Sequence, residues 1–252
     1  MPEMIVSRSN PLVKHLRALA ASSDYRRERR QFLCDSPKLV EEAIRWGGAI
    51  RTVVCTDPSA APELPAGMGC VTVSRDVMAA VSPAKTPQGV LCVCDMPDTS
   101  LPSRLDGRRY VVLDGEQDPG NVGTVLRTAD AFGADGLILL SGCADPFSPK
   151  TVRASMGAVF RCPVWQCEPG DLKQLLGSSG IPLYGAALRE DTVDARTIRY
   201  DRSAIAIGSE GRGLSQKVLD LCDATVRIPM EARCESLNAA IAAAVLLWEA
   251  YR

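Results

Sequence analysis

Residues 108–142 read RRYVVLDGEQDPGNVGTVLRTADAFGADGLILLSG. An apolar run from Tyr110 to Leu113 gives way to a loop that holds Gly115 and Gly120. A stretch of small and apolar residues with helical character then runs to Phe132, and Gly133 stands where a helix end favours a left-handed residue. A second apolar run, Gly136 to Leu140, closes the unit. Strand, helix, strand, with strands apolar at nearly every position, is the pattern of a parallel sheet covered on both faces.

The same alternation continues downstream. SPKTVRASMG (148–157) reads as a short helix, VFRCPVWQC (159–167) as strand-like and DLKQLLGSSG (171–180) as helical. IPLYGAAL (181–188), SAIAIGSEG (203–211) and TVRIPM (225–230) read as strands, with SQKVLDLC (215–222) a helix between the last two. An Ala-rich helix ends the chain. Upstream, DMPDTSLPSRLDGR (95–108) has Pro, Asp, Ser and Gly clusters without apolar periodicity and reads as a linker. Before it, helical stretches (PLVKHLRALAAS, SPKLVEEAIRWG) alternate with short apolar runs (RTVVCT, GCVTVS, GVLCVCD). The expected organisation is a small N-terminal α/β domain over 1–95, a linker over 96–108, and an α/β domain with a mostly parallel sheet over 109–252.

Composition narrows the class. The chain has 252 residues, 46% hydrophobic and 23% charged, the profile of an ordinary globular protein. It has no apolar run of about 18 residues, so no membrane span is expected. MPEMIVSRSNPLVKHL lacks the basic start and long apolar core of a signal peptide, so a cytoplasmic protein is expected. Ten cysteines occur without one C-x-x-C, and His15 is the single histidine. That census argues against an ordinary zinc site and against imidazole acid–base chemistry in the C-terminal domain. Most of the cysteines stand in apolar runs, so buried reduced thiols and no metal are expected. Charge is uneven. Residues 1–51 carry ten Lys and Arg against six acids, densest in YRRERRQF (25–32). Arg26, Arg27, Arg29, Arg30 and Lys38 are either a solvated helix face or a set of phosphate contacts.

Three motifs follow strands, where parallel sheets hold ligands. In the first, Asn121 and Arg127 sit on the helix behind the glycine loop; the spacing is not G-x-G-x-x-G, and no Walker loop occurs. In the second, IAIGSEGRGLS (205–215), three glycines after a buried strand imply a close backbone approach to something, with Ser215 near a helix N-cap. The third is ESLN (235–238), between TVRIPM and the Ala-rich helix. Ser236 and Asn238 are good helix caps, and exposed helix N–H groups also hold ligands, so either reading stands.

Together these motifs resemble the SpoU/TrmH family of RNA 2′-O-methyltransferases, within the SPOUT superfamily. The resemblance rests on Asn121, Gly123, Arg127, Ala129, Phe132 and Gly133, then SPKTVRASMGAVFRCP (148–163), GSEGRGLS, and IPM followed by ESLN. Departures are Ala232 where the family often has Gly, Ala239-Ala240 for a common Val-Ser pair, and Ser36 for a usual Gly. The N-terminal segment is similar to the RNA-binding domain, like ribosomal protein L30e, that many members carry.

The resemblance implies a deep C-terminal trefoil knot, a homodimer through that domain, and S-adenosylmethionine as cofactor. It implies cofactor contacts from Ile207, Gly208, Glu210, Gly211, Ile228, Met230, Ser236, Leu237 and Asn238. It implies Arg127, Asn121, Glu210, Ser236 and Asn238 as the catalytic set, with Arg127 promoting deprotonation of the 2′-hydroxyl. An isolated guanidinium is a poor base, so the expectation here is that Arg127 holds the adjacent phosphate and stabilises the forming alkoxide, oriented by Asn121 and Glu210. The expected reaction is methyl transfer to a ribose 2′-hydroxyl of RNA, with ribosomal RNA favoured. Alternatives are transfer RNA as substrate, a non-catalytic RNA-binding relative acting in ribosome assembly, and a nucleotide-binding sheet used for other chemistry.

Overall fold

The structure, a computed structural model, describes residues 4–231, 233–234 and 236–252. Ala232 and Glu235, two of the positions in the third motif region, lie outside the described residues. The chain divides into two compact units, one comprising residues up to Pro97 with Asp145–Phe160, the other Asp98–Ala144 with Arg161–Arg252.

The first unit runs α1 (Pro11–Ala21), α2 (Ser23–Arg29), β1 (Gln31–Cys34), α3 (Pro37–Arg45), β2 (Ile50–Cys55), β3 (Cys70–Thr72), α4 (Arg75–Val81) and β4 (Val90–Asp95). Its four-stranded sheet has the order β1-β4-β2-β3, with β4 antiparallel to both neighbours and β3 parallel to β2. The helices start where the sequence offers caps. The Asn10 side chain accepts from the Leu12 N–H at 2.9 Å and Ser36 from the Leu39 N–H at 3.1 Å, each with Pro following. Val13, Leu16 and Leu19 recur at a three-residue spacing on α1 and are buried with Leu33, Val54, Leu91 and Val93 of the sheet.

The arginine knot holds two elements, α2 and β1, that the sequence reading does not separate. Arg30, at φ 52°, ends α2 and turns the chain into β1. Arg26 is the correction this produces. It is 4% exposed, and its guanidinium donates to Asp145 Oδ2 at 2.9 and 2.6 Å and to the Leu19 carbonyl at 2.7 Å. A guanidinium committed this way inside the unit is not a phosphate contact. Arg27, Arg29, Arg30 and Lys38 are exposed. A second correction concerns thiols: Cys55 and Cys70, expected reduced, form a disulfide between β2 and β3.

The second unit contains β5 (Arg109–Asp114), α5 (Pro119–Ala131) and β6 (Gly136–Leu140). The chain then passes through α6 (Pro149–Ser155), which belongs to the first unit, where Arg153 meets Asp35 at 2.9 Å. It returns as β7 (Val164–Cys167), α7 (Pro169–Ser179), β8 (Leu183–Ala186), β9 (Val193–Asp194), β10 (Ser203–Gly208), α8 (Gln216–Leu219), β11 (Ala224–Arg227) and α9 (Ala239–Tyr251). All described pairings in its seven-stranded sheet are parallel, in the order β7-β6-β5-β10-β8-β11-β9. The mostly parallel α/β architecture expected from the opening stretch is the one observed. Gly133, at φ 63°, follows α5 as the left-handed C-terminal residue.

Residues 98–108 carry no regular element, yet Leu105 is buried in this unit's core. Its N–H donates to Ser179 Oγ at 2.9 Å, and Arg202 donates to its carbonyl at 2.7 Å. Among the described residues no helix is long and apolar enough to cross a membrane.

Candidate active site

The strand order sets the position of the site. Chain order reverses between β5 and β10: β6 and β7 lie to one side of β5, while β8, β11 and β9 lie beyond β10. In an open parallel sheet the loops leaving two such strands diverge, and a crevice opens beyond their C-terminal ends. β5 and β10 end level, Asp114 opposite Gly208. Their outgoing loops carry the first two motifs.

The loop after β10 folds tightly on itself. The Gly213 N–H donates to the Ser209 carbonyl at 2.8 Å, and the Ser215 N–H donates to Asp114 Oδ2 at 2.6 Å, tying this loop to the end of β5. Gly208 is required by close approach. A Cβ there would lie 2.0–2.3 Å from backbone atoms of Gly213 and Leu214, contacts that no side-chain rotation relieves.

The loop after β5 is shaped by Asp118, which caps α5 through the Gly120 and Asn121 N–H groups, with Pro119 in the first turn. That presents Asn121 to the crevice. The Asn121 amide donates to Glu210 Oε1 at 2.8 Å. The Asn238 amide donates to Asn121 Oδ1 at 3.1 Å and also to Glu210 Oε1. Three side chains from three strand-end segments thus close a hydrogen-bonded triangle. Asn238 also caps α9, its Oδ1 accepting from the Ala240 and Ile241 N–H groups at 3.0 and 3.2 Å. The two readings of ESLN are therefore compatible: the oxygen caps and the amide faces the crevice.

The triangle borders a cleft of about 460 Å³, lined further by Glu116, Gln117, Asp118 and Arg212. An adjoining cleft of about 390 Å³ shares Ser209, Glu210 and Arg212 and continues over Ile207, Gly208, Leu214, Ser236 and Leu237. A smaller recess by Val226, Ile228, Met230 and Leu237 extends it. The groove is acidic and amide-rich at one end and apolar at the other, and its sizes suit a small-molecule site. Every residue expected at the cofactor lines one of these three spaces: Gly211 and Asn238 the first, Ile207 and Gly208 the second, Ile228 and Met230 the third, with Glu210, Ser236 and Leu237 shared.

Arg127 is not among them. It is exposed on α5, and its side chain makes no hydrogen bond or ion pair with the described residues. The expected pairing with Asn121 and Glu210 is thus corrected. Six residues carry the helix roughly 240° round its axis, so the two side chains leave different faces. Residues missed by the sequence reading are Ala186, Ala187, Leu188 and Arg189, which wall the apolar end. They follow β8, and the rule that ligands collect beyond strand ends pointed to them as it did to the other loops.

Cys143 and Cys222, near the strand ends, are poor nucleophiles. Burial, with Asp114 and Glu116 nearby, pushes Cys143 up to about 11, and burial likewise pushes Cys222 up to about 11. Both stay protonated at neutral pH, Cys143 donating to the Leu113 carbonyl at 3.3 Å. His15 belongs to the other unit.

Fold and cleft together define an α/β protein with a part-apolar groove, suited to a small ligand, at a sheet switch point. Residues 108–248 match the SpoU rRNA Methylase family, and residues 10–92 match the MRM3-like substrate binding domain. The chain belongs to the SpoU rRNA methylase family. It is 34% identical to the 23S rRNA (guanosine(2553)-2'-O)-methyltransferase RlmP of Bacillus subtilis (strain 168), covering 98% of both chains. It is also similar to the AdoMet-bound rRNA methyltransferase of Sinorhizobium meliloti, at TM-score 0.86 and 34% identity over 98% of this chain and 97% of that one. The SpoU methyltransferase AviRb of Streptomyces viridochromogenes, solved with AdoMet, aligns at TM-score 0.85 and 30% identity over 96% of this chain and 97% of that one.

Proposed function

We propose that the protein transfers a methyl group from S-adenosylmethionine to a ribose 2′-hydroxyl of RNA, and that the RNA is ribosomal. The observation that carries the reading is the Asn121–Glu210–Asn238 triangle at the polar end of a groove whose other end is apolar. When bound, S-adenosylmethionine supplies a methyl already activated on a sulfonium. The residues fit it: the apolar recess by Leu188, Ile228 and Leu237 suits the adenine, and the acidic lining by Glu116, Asp118 and Glu210 suits a cation.

What remains for the chain is alignment and charge. Asn121 and Asn238 fix the Glu210 carboxylate, leaving lone pairs to accept the ribose hydroxyl and orient its oxygen. Arg127, whose side chain has no internal partner, holds an RNA phosphate near the reacting ribose; a guanidinium keeps its charge, which makes it a poor base and a good anion clamp. Ser236 borders the ribose. A 2′-hydroxyl marks RNA and not DNA. The relatives that align along nearly the whole chain include proteins named for ribosomal RNA and one named a tRNA/rRNA methyltransferase, whereas a structure concerned with C/U34 of tRNA covers 57% of this chain. That difference favours ribosomal RNA. The N-terminal domain, with Arg27, Arg29, Arg30 and Lys38 exposed, would grip phosphates. We place its boundary at the 96–108 segment.

We further propose a cytoplasmic homodimer through the C-terminal unit. α9 exposes Ile241, Val245, Trp248 and Tyr251, an apolar stripe at helical spacing, and Phe132 packs against Trp248 and Tyr251. The family's trefoil knot is carried over with the fold; the segments around 209–214, 228–230 and 236–238, which border the groove, are where it would close. The test is methyl transfer from labelled donor to ribosomal RNA from cells lacking the protein, with mass-spectrometric mapping of the product. A single new 2′-O-methyl mark is expected. Absence of donor uptake by calorimetry, with RNA present, would overturn the proposal.

A further inference from the structure

The small sheet of the first unit gathers thiols that are far apart in sequence. Cys92 and Cys94 lie two residues apart on β4 and so share a face. Cys34, the last residue of β1, pairs with Cys92 across the antiparallel ladder. The Cys34 and Cys94 sulfurs are 4.0 Å apart and the Cys92 and Cys94 sulfurs 3.7 Å apart, and all three lie within 4.8 Å of one another. Leu33, Leu91 and Val93, at the alternate positions, point to the opposite face and its core. The cysteines share their face with Phe32, whose ring packs on Phe147 and Phe160 at 5.1 and 6.0 Å. All three thiols are fully buried, and the face is covered by α3 on β4 and α6 on β1.

We infer that Cys34, Cys92 and Cys94 form a three-sulfur site for a soft, thiophilic cation, monovalent copper. Sulfur atoms around a three-coordinate ion with bonds of about 2.3 Å stand about 4 Å apart, which is the separation observed. Structural zinc takes four protein ligands, and no fourth His, Cys or carboxylate joins this group among the described residues. Soft thiolates with a low coordination number select Cu(I). The shell of Phe32, Phe147 and Phe160 keeps water out, which favours the reduced ion. Loading exchanges the S–H protons of the ligating thiols for the metal and passes them to solvent, with no change in oxidation state. Burial means that the ion enters during folding or when α3 lifts from the sheet.

The full-length chain, purified without oxygen from copper-supplemented cells, tests this. Elemental mass spectrometry should find about one copper per chain, falling at least tenfold in Cys34→Ser/Cys94→Ser and unchanged in Cys143→Ser/Cys234→Ser. Copper-edge X-ray absorption on the unaltered protein decides independently of whether the variants fold: three sulfur neighbours at about 2.3 Å are expected. Copper bound through nitrogen or oxygen, copper that persists without the triad, or a copper content no higher than that of Cys34→Ser/Cys94→Ser would overturn the assignment.

Discussion

The seven-stranded and four-stranded sheets put their chemistry in different places. In the larger sheet the described strands run one way, so the loops after β5, β8, β10 and β11 leave from the same edge, and the groove is built there. In the smaller sheet β4 runs against β1 and β2, so loops leave from both ends. Its distinctive groups lie on a sheet face, where Cys34, Cys92 and Cys94 meet, and on α2, where one arginine is buried and its neighbours are exposed. Strand direction decides whether polar groups converge on an edge or are distributed over a body.

The sharpest way to break this contrast is Gly208→Ala. Its Cβ would collide with the backbone of Gly213 and Leu214, so the β10 loop cannot keep its path. Donor binding measured by calorimetry should be lost; retained binding would mean that this crossing does not shape the groove. Next is Arg26→Ala, which leaves Asp145 without its guanidinium and should cost about 3–5 kcal/mol in chemical denaturation. Arg27→Ala, one residue on and exposed, should cost under about 0.5 kcal/mol. Equal costs would contradict the buried placement of Arg26.

A smaller effect isolates the triangle. Asn238→Asp keeps an oxygen to cap α9 but sets a carboxylate against Glu210. Turnover should fall about a hundredfold, near 2.7 kcal/mol of barrier, while the melting temperature stays close to the parent. Undiminished turnover would remove the triangle from the proposed chemistry. The mildest change is Arg27→Ala/Arg29→Ala/Arg30→Ala. If each holds one phosphate, the slope of log affinity for RNA against log salt should flatten by about 2–3, with donor binding intact. An unchanged slope would assign RNA grip elsewhere.

Much of the site was legible because its parts are local. Pro119, Gly133 and Asn238 sit where helix ends need them, and Gly208 stands where backbones touch. The walls after β8 went unread because Ala186-Ala187-Leu188 carries no unusual residue type. The pairing of Arg127 with Asn121 failed because closeness in sequence is not closeness on a helix surface. The cysteine census missed the triad because it searched for short spacings, whereas a strand ladder joins residues 34 and 92.

The sequence by itself determined most of the larger unit's strands and helices, several of their caps, and the family to which the chain belongs, since each depends on residues within a few positions of one another. Only the tertiary structure decided which arginine of the knot is buried, that Asn121, Glu210 and Asn238 bond to one another, and that three cysteines share a face. Those outcomes depend on strand order and helix rotation, and both are set by how whole elements bury their apolar sides.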